Sequence, residues 1–253
     1  MPMRDEDHKV STFRLDLSND GEHGGQVLVS RKAVAPFARA TPVVISLTRH
    51  FLPERRRVEA FIEKTYAEKY GAQVHNHYPY LMSARDASGH ILAAIGFRFA
   101  CDESLFLEQY LDRPVEAEIS NHLCTSVARG RIAELGSLAS RGHGATFFLF
   151  MVLANYLHAN GLEYAAITGT RALQRFFGHL GLDPRLLADA GKNRLPDGGK
   201  SWGRYYDKSP KVLFGDIAAG CRLLPVSRTA CNDQGKQAPL FARLHRPWAE
   251  QAG

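Results

Sequence analysis

One carboxylate stands in an otherwise apolar stretch of the sequence, residues 131–140, which reads RIAELGSLAS. A stretch that is apolar on both faces is typical of a central strand, and burial disfavours the charged form of a carboxyl group. Glu134 is therefore expected to have a raised pKa, which suits a general base at neutral pH. A buried carboxylate that only pairs with an arginine, such as Arg98 or Arg131, is an equal alternative.

A glycine-containing turn follows this stretch directly and leads into an apolar helix predicted at 145–160. The turn consists of Ser140, Arg141, Gly142, His143, Gly144, Ala145 and Thr146. Glycines let the backbone approach a ligand closely, and the first N–H groups of a helix form an anion site. We therefore expect a phosphate-bearing ligand here, with Arg141 as a further positive charge. A tight turn without any ligand is the alternative.

No metal site and no disulfide are predicted. His75 and His77 lie close together, but no carboxylate or cysteine stands beside them at a spacing typical of metal ligands. The cysteines form no C-x-x-C pair, which is usual in a reducing compartment. They are Cys101, Cys124, Cys221 and Cys231.

The composition, 45% hydrophobic and 23% charged over 253 residues, is that of a globular protein. The charged first ten residues resemble no signal peptide, and the longest apolar run, 145–154, is shorter than the roughly 20 residues that cross a bilayer. We therefore expect a cytoplasmic protein without stable membrane insertion. The net charge of +6 favours an acidic partner, such as a carrier protein, a tRNA or a phosphorylated cofactor.

The elements that position these residues follow from hydrophobic periodicity and turn residues. Strands are predicted at 43–48, 80–84, 90–100, 131–140, 164–170 and 211–216. Helices are predicted at 53–71, 104–111, 145–160 and 171–181, and residues 115–125 fit either type. A partly ordered N-terminal arm is predicted at 1–40, with one strand near 26–30, followed by the main domain at 41–217 and a basic tail at 218–253.

The order strand, helix, hairpin, strand, glycine turn, helix, strand, helix resembles the GNAT fold. The turn matches the GNAT pattern Q/R-x-x-G-x-G/A at Arg141 and Gly144, with Thr146 in place of the last small residue. Residues 176–182, FFGHLGL, resemble the F-Y-x-x-x-G-F element that closes the GNAT donor site. The usual tyrosine of that element is Phe177 here, and Thr170 replaces a frequent asparagine.

This resemblance implies an α/β fold with a GNAT-like mixed central sheet flanked by helices. It also implies a donor site made of Leu138, Ala139, Arg141, Gly142, His143, Gly144, Ala145, Thr170, Phe176 and Phe177. Aromatic core packing is the alternative role for the last two.

Several longer sequence segments resemble the thermostable hemolysin family over about residues 50–216. They are GFRFA at 96–100, LFLEQYLD at 105–112, AELGSLAS at 133–140, TGT at 168–170 and WGRYYD at 202–207. The family name implies cell lysis, whereas the fold implies acyl transfer. The strand that carries Glu134 is also similar to the central strand of acyl-homoserine lactone and N-acyl amino acid synthases, which use acyl carrier proteins.

Together these resemblances imply a GNAT-type N-acyltransferase. Its donor would be an acyl-CoA or the phosphopantetheine of an acyl-ACP, its acceptor a small-molecule amine, and no metal would take part. Glu134 would be the base, and Tyr205 or Tyr206 would protonate the leaving thiolate unless both only pack in the core. Three alternatives remain: aminoacyl-tRNA-dependent transfer, a membrane-active hemolysin-like protein without catalysis, and a ligand-sensing module without turnover.

Overall fold

The computed structural model describes residues 12–19, 22–30, 44–49, 53–74 and 78–223. These residues form one mixed sheet with helices on both faces. Its strands are β1 Thr12–Asn19, β2 Glu22–Ser30, β3 Val44–Thr48, β4 Tyr80–Arg85, β5 Ile91–Phe99, β6 Ile132–Ser140, β7 Tyr164–Gly169, β8 Arg185–Asp189 and β9 Lys211–Asp216. The helices are α1 Pro53–Tyr70, α2 Val115–Leu123, α3 His143–Ala159, α4 Arg171–His179 and α5 Ile217–Leu223. The predicted α/β class with a GNAT-like mixed sheet is confirmed.

The strands lie in the order β2-β1-β3-β4-β5-β6-β7-β9-β8. Strand β1 is parallel to β3 and β6 is parallel to β7, while the other neighbours are antiparallel. The parallel pair β6 and β7 is connected through α3, as a parallel pair requires a crossover. The glycine turn lies at the start of that crossover.

The parallel pair β6 and β7 separates part-way along its length. The two strands are paired only from Ile132 opposite Tyr164 to Leu135 opposite Ile167. Beyond this point β6 contains a bulge against β5, where Ser137 has a φ of 49°. A bulge bends its strand and increases the local twist. The remainder of β6 therefore diverges from β7 and leaves a cleft between them.

The core lies on both faces of the sheet, which explains the apolar character of the central strands. Helix α3 packs on one face, and the buried residues there include Phe97, Leu135, Phe148, Ile167 and Leu213. Helices α1 and α2 cover the other face. Buried residues on that side include Val58, Ile62, Leu81, Ala94 and Ala139 near α1 and Val115, Ile119, Ile132, Ala166 and Val212 near α2.

The N-terminal part contains the strand predicted near 26–30, as part of β2, and a further strand that was not predicted. It contributes two strands, β1 and β2, and β1 joins the main sheet beside β3, where Leu15 is fully buried. A local pattern with few apolar residues does not reveal this pairing, because it depends on residues about 30 positions away. Residues 31–43 lie outside the described part of the chain.

Four further elements complete the sequence predictions or differ from them. Residues 115–123, which fitted either type, form α2, and the short helix expected at 104–111 is a 3₁₀ turn at Phe106–Tyr110. Strand β8 was not predicted. Helix α5 continues past the expected domain boundary at residue 217 because it packs against α3. The tail beyond residue 223 lies outside the described residues.

Candidate functional site

A cavity of about 360 Å³ opens where β6 and β7 diverge. Its wall is built from the bulged part of β6, the end of β7, the start of α3, the end of α1 and the segment 202–206. Among the described residues, the Lys, Arg, Asp and Glu side chains that line it are all cationic: Lys69, Arg98 and Arg141. The cavity therefore favours a ligand with negative charge.

Glu134 lies beneath this cavity and is almost fully buried, with 1% of its surface exposed. Its carboxylate accepts hydrogen bonds from the backbone N–H groups of Phe106 and Leu107, both at 2.9 Å. The Nε atom of Arg98 lies 3.3 Å from Glu134 Oε2. The hydroxyl of Tyr78 donates a further hydrogen bond to the carboxylate. Three hydrogen-bond donors and the positive charge of Arg98 thus converge on one buried carboxyl group.

The pKa of Glu134 reflects a competition between burial and these four neighbouring groups. Burial raises the pKa, while Arg98, the two N–H groups and the Tyr78 hydroxyl lower it, and the balance is a pKa of about 7. The carboxyl group is therefore partly ionised at neutral pH. A group in this range can accept a proton from a substrate and release it again.

The two N–H groups that bind Glu134 belong to the 3₁₀ turn Phe106–Tyr110, which is held by a second carboxylate. Glu108 accepts hydrogen bonds from the N–H groups of Leu105, at 2.8 Å, and Val115, at 3.0 Å, and pairs with Arg129 at 2.6 Å. Burial raises its pKa, but Arg129 and the two N–H groups outweigh burial and lower it to about 2. This turn is a rigid support for Glu134.

Tyr78 connects the buried carboxylate to the cavity, because its side chain lines the cavity and its hydroxyl reaches Glu134. Its ring lies over two strand glycines. A Cβ atom at Gly96 would lie 2.7 Å from the Tyr78 ring, and one at Gly136 would overlap the hydroxyl. The guanidinium carbon of Arg98 lies 4.5 Å from the ring centroid, a cation–π distance. Burial, followed by the charge of Glu134, raises the pKa of Tyr78 well above its ordinary value.

Aromatic side chains form the cavity wall opposite β6. Tyr205 is buried and its hydroxyl donates to the carbonyl of Thr168 at 3.3 Å, and the hydroxyls of Tyr206 and Tyr110 lie 2.5 Å apart. Burial raises the pKa of all three phenols, so each keeps its proton at neutral pH. They are suited to donate a proton and unsuited to act as bases.

The start of α3 forms the other end of the cavity. Ser140 Oγ accepts hydrogen bonds from the Gly142 N–H at 3.1 Å and from Thr146 Oγ1 at 2.8 Å, which fixes the turn against the helix. Arg141 and Gly142 are exposed and line the cavity. The first N–H groups of a helix have no intrahelical acceptor, so this end of the cavity is suited to an anion.

The comparison with protein families identifies the chain. The family model described as Thermostable hemolysin matches residues 49–221, which is more than half of the sequence. The chain belongs to the thermostable hemolysin family. No curated protein matches the sequence.

Several solved structures are distantly similar to this member of the thermostable hemolysin family. The crystal structure of TofI in a ternary complex with an inhibitor and MTA has 14% identity and a TM-score of 0.48, over 71% of this chain and 95% of that chain. The AHL synthase LasI has 13% identity and a TM-score of 0.46, over 68% and 89%. FeeM, an N-acyl amino acid synthase from uncultured soil microbes, has 12% identity and a TM-score of 0.49, over 73% and 97%.

The structure brings many of the predicted site residues of this family member to one cavity. Residues that line it are Leu138, Arg141, Gly142, Thr170, Phe176, Tyr205 and Tyr206. Glu134 lies one layer deeper and reaches it through Tyr78. Ala139 and Ala145 are buried in the cores on either face of the sheet. Phe177 is also part of the core and lines a second cavity, and Gly144 is not a lining residue of either.

The side chain of His143 lies outside the described residues, as do His75 and His77. Within the described residues, no three His, Cys, Asp or Glu side chains form a group that could hold a metal ion. Arg131, one of the two proposed partners of Glu134, pairs with Glu163 instead, at 3.7 Å.

Tyr78 was the main residue that the sequence predictions missed. A lone tyrosine in a region without clear periodicity carries no signal of its own. The signal was present in Gly96 and Gly136, because glycines inside strands often mark the close approach of another group. Gly96 and Gly136 are paired directly opposite each other on β5 and β6. Because neither has a side chain, the two positions make room for one large ring.

Proposed function

We propose that this protein is an N-acyltransferase that uses an acyl thioester donor and a small-molecule amine as acceptor. One observation carries the proposal: a buried carboxylate with a pKa of about 7 is connected through Tyr78 to a cavity that ends at a helix N-terminus. Acyl transfer to an amine requires a base for the amine and a place for the phosphate-bearing donor.

The donor is proposed to lie along the diverging strands. Its phosphates would bind at the start of α3 with Arg141, and its extended arm would run beside Leu138 and Thr170, which line the cleft. The Oγ1 atom of Thr168 is buried and makes no hydrogen bond within the described residues. This hydroxyl is therefore a candidate partner for an amide group of the donor arm.

Glu134 is proposed to act as the base through Tyr78. The acceptor amine gives a proton to the Tyr78 hydroxyl as that hydroxyl gives its own proton to the Glu134 carboxylate. The C–N bond then forms as the C–S bond breaks, and the leaving thiolate takes a proton from a phenol of the aromatic wall. Tyr205 and Tyr206 are the candidates, since both line the cavity and keep their protons at neutral pH.

Donor binding provides the test. Gly142 has an extended backbone, with a φ of −179°, and a Cβ atom there would have no heavy atom within 4 Å. The Gly142→Val variant should therefore fold normally, and its valine side chain should occupy the end of the cavity that is formed by Arg141 and the start of α3. We expect the affinity for CoA, measured by titration calorimetry, to fall at least tenfold in this variant.

The matched control is Gly178→Val in α4, where added atoms also meet open space outside the cavity. It should bind CoA like the parent protein. Equal CoA affinity in all three proteins would overturn the assignment of the donor site. Titration with an acyl carrier protein bearing the same acyl group would distinguish a carrier-bound donor from a CoA donor.

The alternatives have less support. No helix within the described residues is long and apolar enough to span a membrane, and the membrane-active hypothesis rests on the family name. Aminoacyl-tRNA as donor gains no support from the three structures named above, none of which is described as using tRNA. A ligand-sensing role without turnover predicts CoA binding without product, which the same proteins can test by mass spectrometry.

A further inference from the structure

A second cavity, of about 410 Å³, lies between α3, α5 and residues 181–185. Its interior is apolar and includes Phe150, Leu153 and Ala154 of α3 and Ile217 of α5. The charged residues that line it are exposed and therefore lie at its mouth: Asp183, Arg185 and Asp216. No step of the proposed reaction uses this cavity.

The two cavities meet at the point where β6 and β7 diverge. Leu135 and Ile167, the last paired residues of the two strands, line both cavities. Phe176 lines the first cavity and Phe177 the second, with ring centroids 6.1 Å apart. Phe150 lies 6.1 Å from the Phe176 ring and 5.2 Å from the Phe177 ring. The boundary between the cavities is therefore made of apolar side chains, which can change rotamer.

We propose that the second cavity binds the acyl chain of the donor, so that the substrate is a medium- or long-chain acyl thioester. This inference rests on the proposed function and names the substrate class of the same site. A thioester placed in the cleft would direct its acyl chain toward Leu135 and Ile167. Beyond these two residues the acyl chain would contact the apolar side chains of this boundary, which pack favourably against methylene groups.

The size of the cavity sets the chain length. An apolar cavity of about 150 Å³ accepts benzene, with six carbons, so a cavity of 410 Å³ has room for roughly eight to sixteen carbons. A peptide or another polar occupant would leave hydrogen-bonding groups unsatisfied against the apolar interior. An acyl chain has no such groups.

The test measures affinity against chain length with one constant head group. CoA and its acetyl, butyryl, octanoyl and dodecanoyl thioesters are each titrated against the full-length protein. Each fully buried methylene should strengthen binding about three- to fourfold. We expect affinity to rise steeply from the four-carbon to the twelve-carbon donor. Affinity that is independent of chain length while CoA binds would overturn this inference and leave the donor site intact.

Two variants in helix α3 test where the acyl chain binds. Ala154 lines the second cavity and faces α5, whereas Ala159 is exposed at the end of the same helix. Ala154→Phe should fill the cavity and abolish the gain from chain length, while the affinity for CoA itself stays unchanged. Ala159→Phe should retain the full gain. A retained gain in Ala154→Phe, with both variants folded by thermal melting, would place the chain elsewhere and contradict the inference.

Dodecanoate serves as a second probe that does not depend on the donor site. Binding of dodecanoate that Ala154→Phe abolishes and Ala159→Phe preserves would support the acyl-chain site even if neither CoA nor an acyl carrier protein binds, in which case only the proposed function falls. If CoA, the carrier protein and dodecanoate all fail to bind, both proposals fail.

Discussion

The hydroxyl of Tyr78 occupies the space that a side chain at Gly136 would fill, so that a glycine of β6 and a tyrosine before β4 form one structural unit. The Tyr78 side chain also packs directly against Gly96 on β5, where a Cβ atom would lie 2.7 Å from it. Two glycines at facing positions of adjacent strands thus place a phenol against Glu134, two residues away from Gly136. The arrangement links the backbone of the sheet directly to the protonation of the candidate base.

Gly136→Ala should displace Tyr78. The added methyl overlaps the hydroxyl, and a forced fit of this kind costs about 1–3 kcal/mol in the free energy of unfolding. The hydrogen bond to Glu134 is lost as well, so transferase activity should fall at least tenfold. Gly130→Ala is the control, because a Cβ atom there meets open space. If Gly136→Ala and Gly130→Ala have equal urea-unfolding midpoints and equal transferase rates, the position of Tyr78 does not depend on a glycine at residue 136.

Tyr78→Phe should move the pH profile. The hydroxyl lowers the pKa of Glu134 by its hydrogen bond, so its removal raises that pKa above about 7. A base must be deprotonated, and the acid limb of kcat/KM should therefore shift to higher pH. The plateau should also fall, because the proton path from the cavity is interrupted. Tyr80→Phe is the control, because Tyr80 lines neither cavity and its ring packs on Phe97 and Phe99. It should leave the limb in place; a limb at the same pH in both variants would contradict the role of Tyr78.

Glu134→Gln should remove the base. General-base catalysis contributes typically about 10²- to 10⁴-fold, so kcat should decrease by a factor in that range, and the limb near pH 7 should disappear from the profile. Glu163→Gln, which alters an exposed ion pair of Arg131, is the control and should have the parent activity. A Glu134→Gln variant with an unchanged rate and limb would exclude Glu134 as the base.

The same variant should change how stability depends on pH. The folded pKa of Glu134 is raised from 4.5 to about 7, so the folded protein holds this proton more tightly than the unfolded chain. The resulting stabilisation is complete below pH 4.5 and is lost as the pH rises through 7. It amounts to about 3 kcal/mol at most. The stability difference between parent and Glu134→Gln should therefore shift against the parent between pH 5 and 8 in urea unfolding; a constant difference would mean an ordinary pKa.

The sequence predicted the parts of this protein that depend on local pattern. The burial of Glu134 followed from its apolar neighbours, and the turn that connects β6 to α3 followed from the glycines beside Arg141. Tyr78 could not be predicted in the same way, because its position depends on β5 and β6 approaching from distant parts of the chain. Phe177 shows the same limit: its place in a motif does not reveal which of two cavities its ring lines, since that depends on the packing of α4 against α3.

Ser137 offers a test of the bulge that opens the cleft. Its φ of 49° lies in the left-handed region, which costs an ordinary residue about 1–2 kcal/mol and a β-branched residue more. With Ser137→Ala as the reference, Ser137→Gly should raise the free energy of unfolding and Ser137→Val should lower it by at least about 1 kcal/mol. Ser137→Val should also weaken CoA binding, because a strand without this bulge would continue to pair and narrow the cleft. Equal stability of the three variants would mean that the bulge does not depend on this conformation, and the divergence of β6 from β7 would then need another cause.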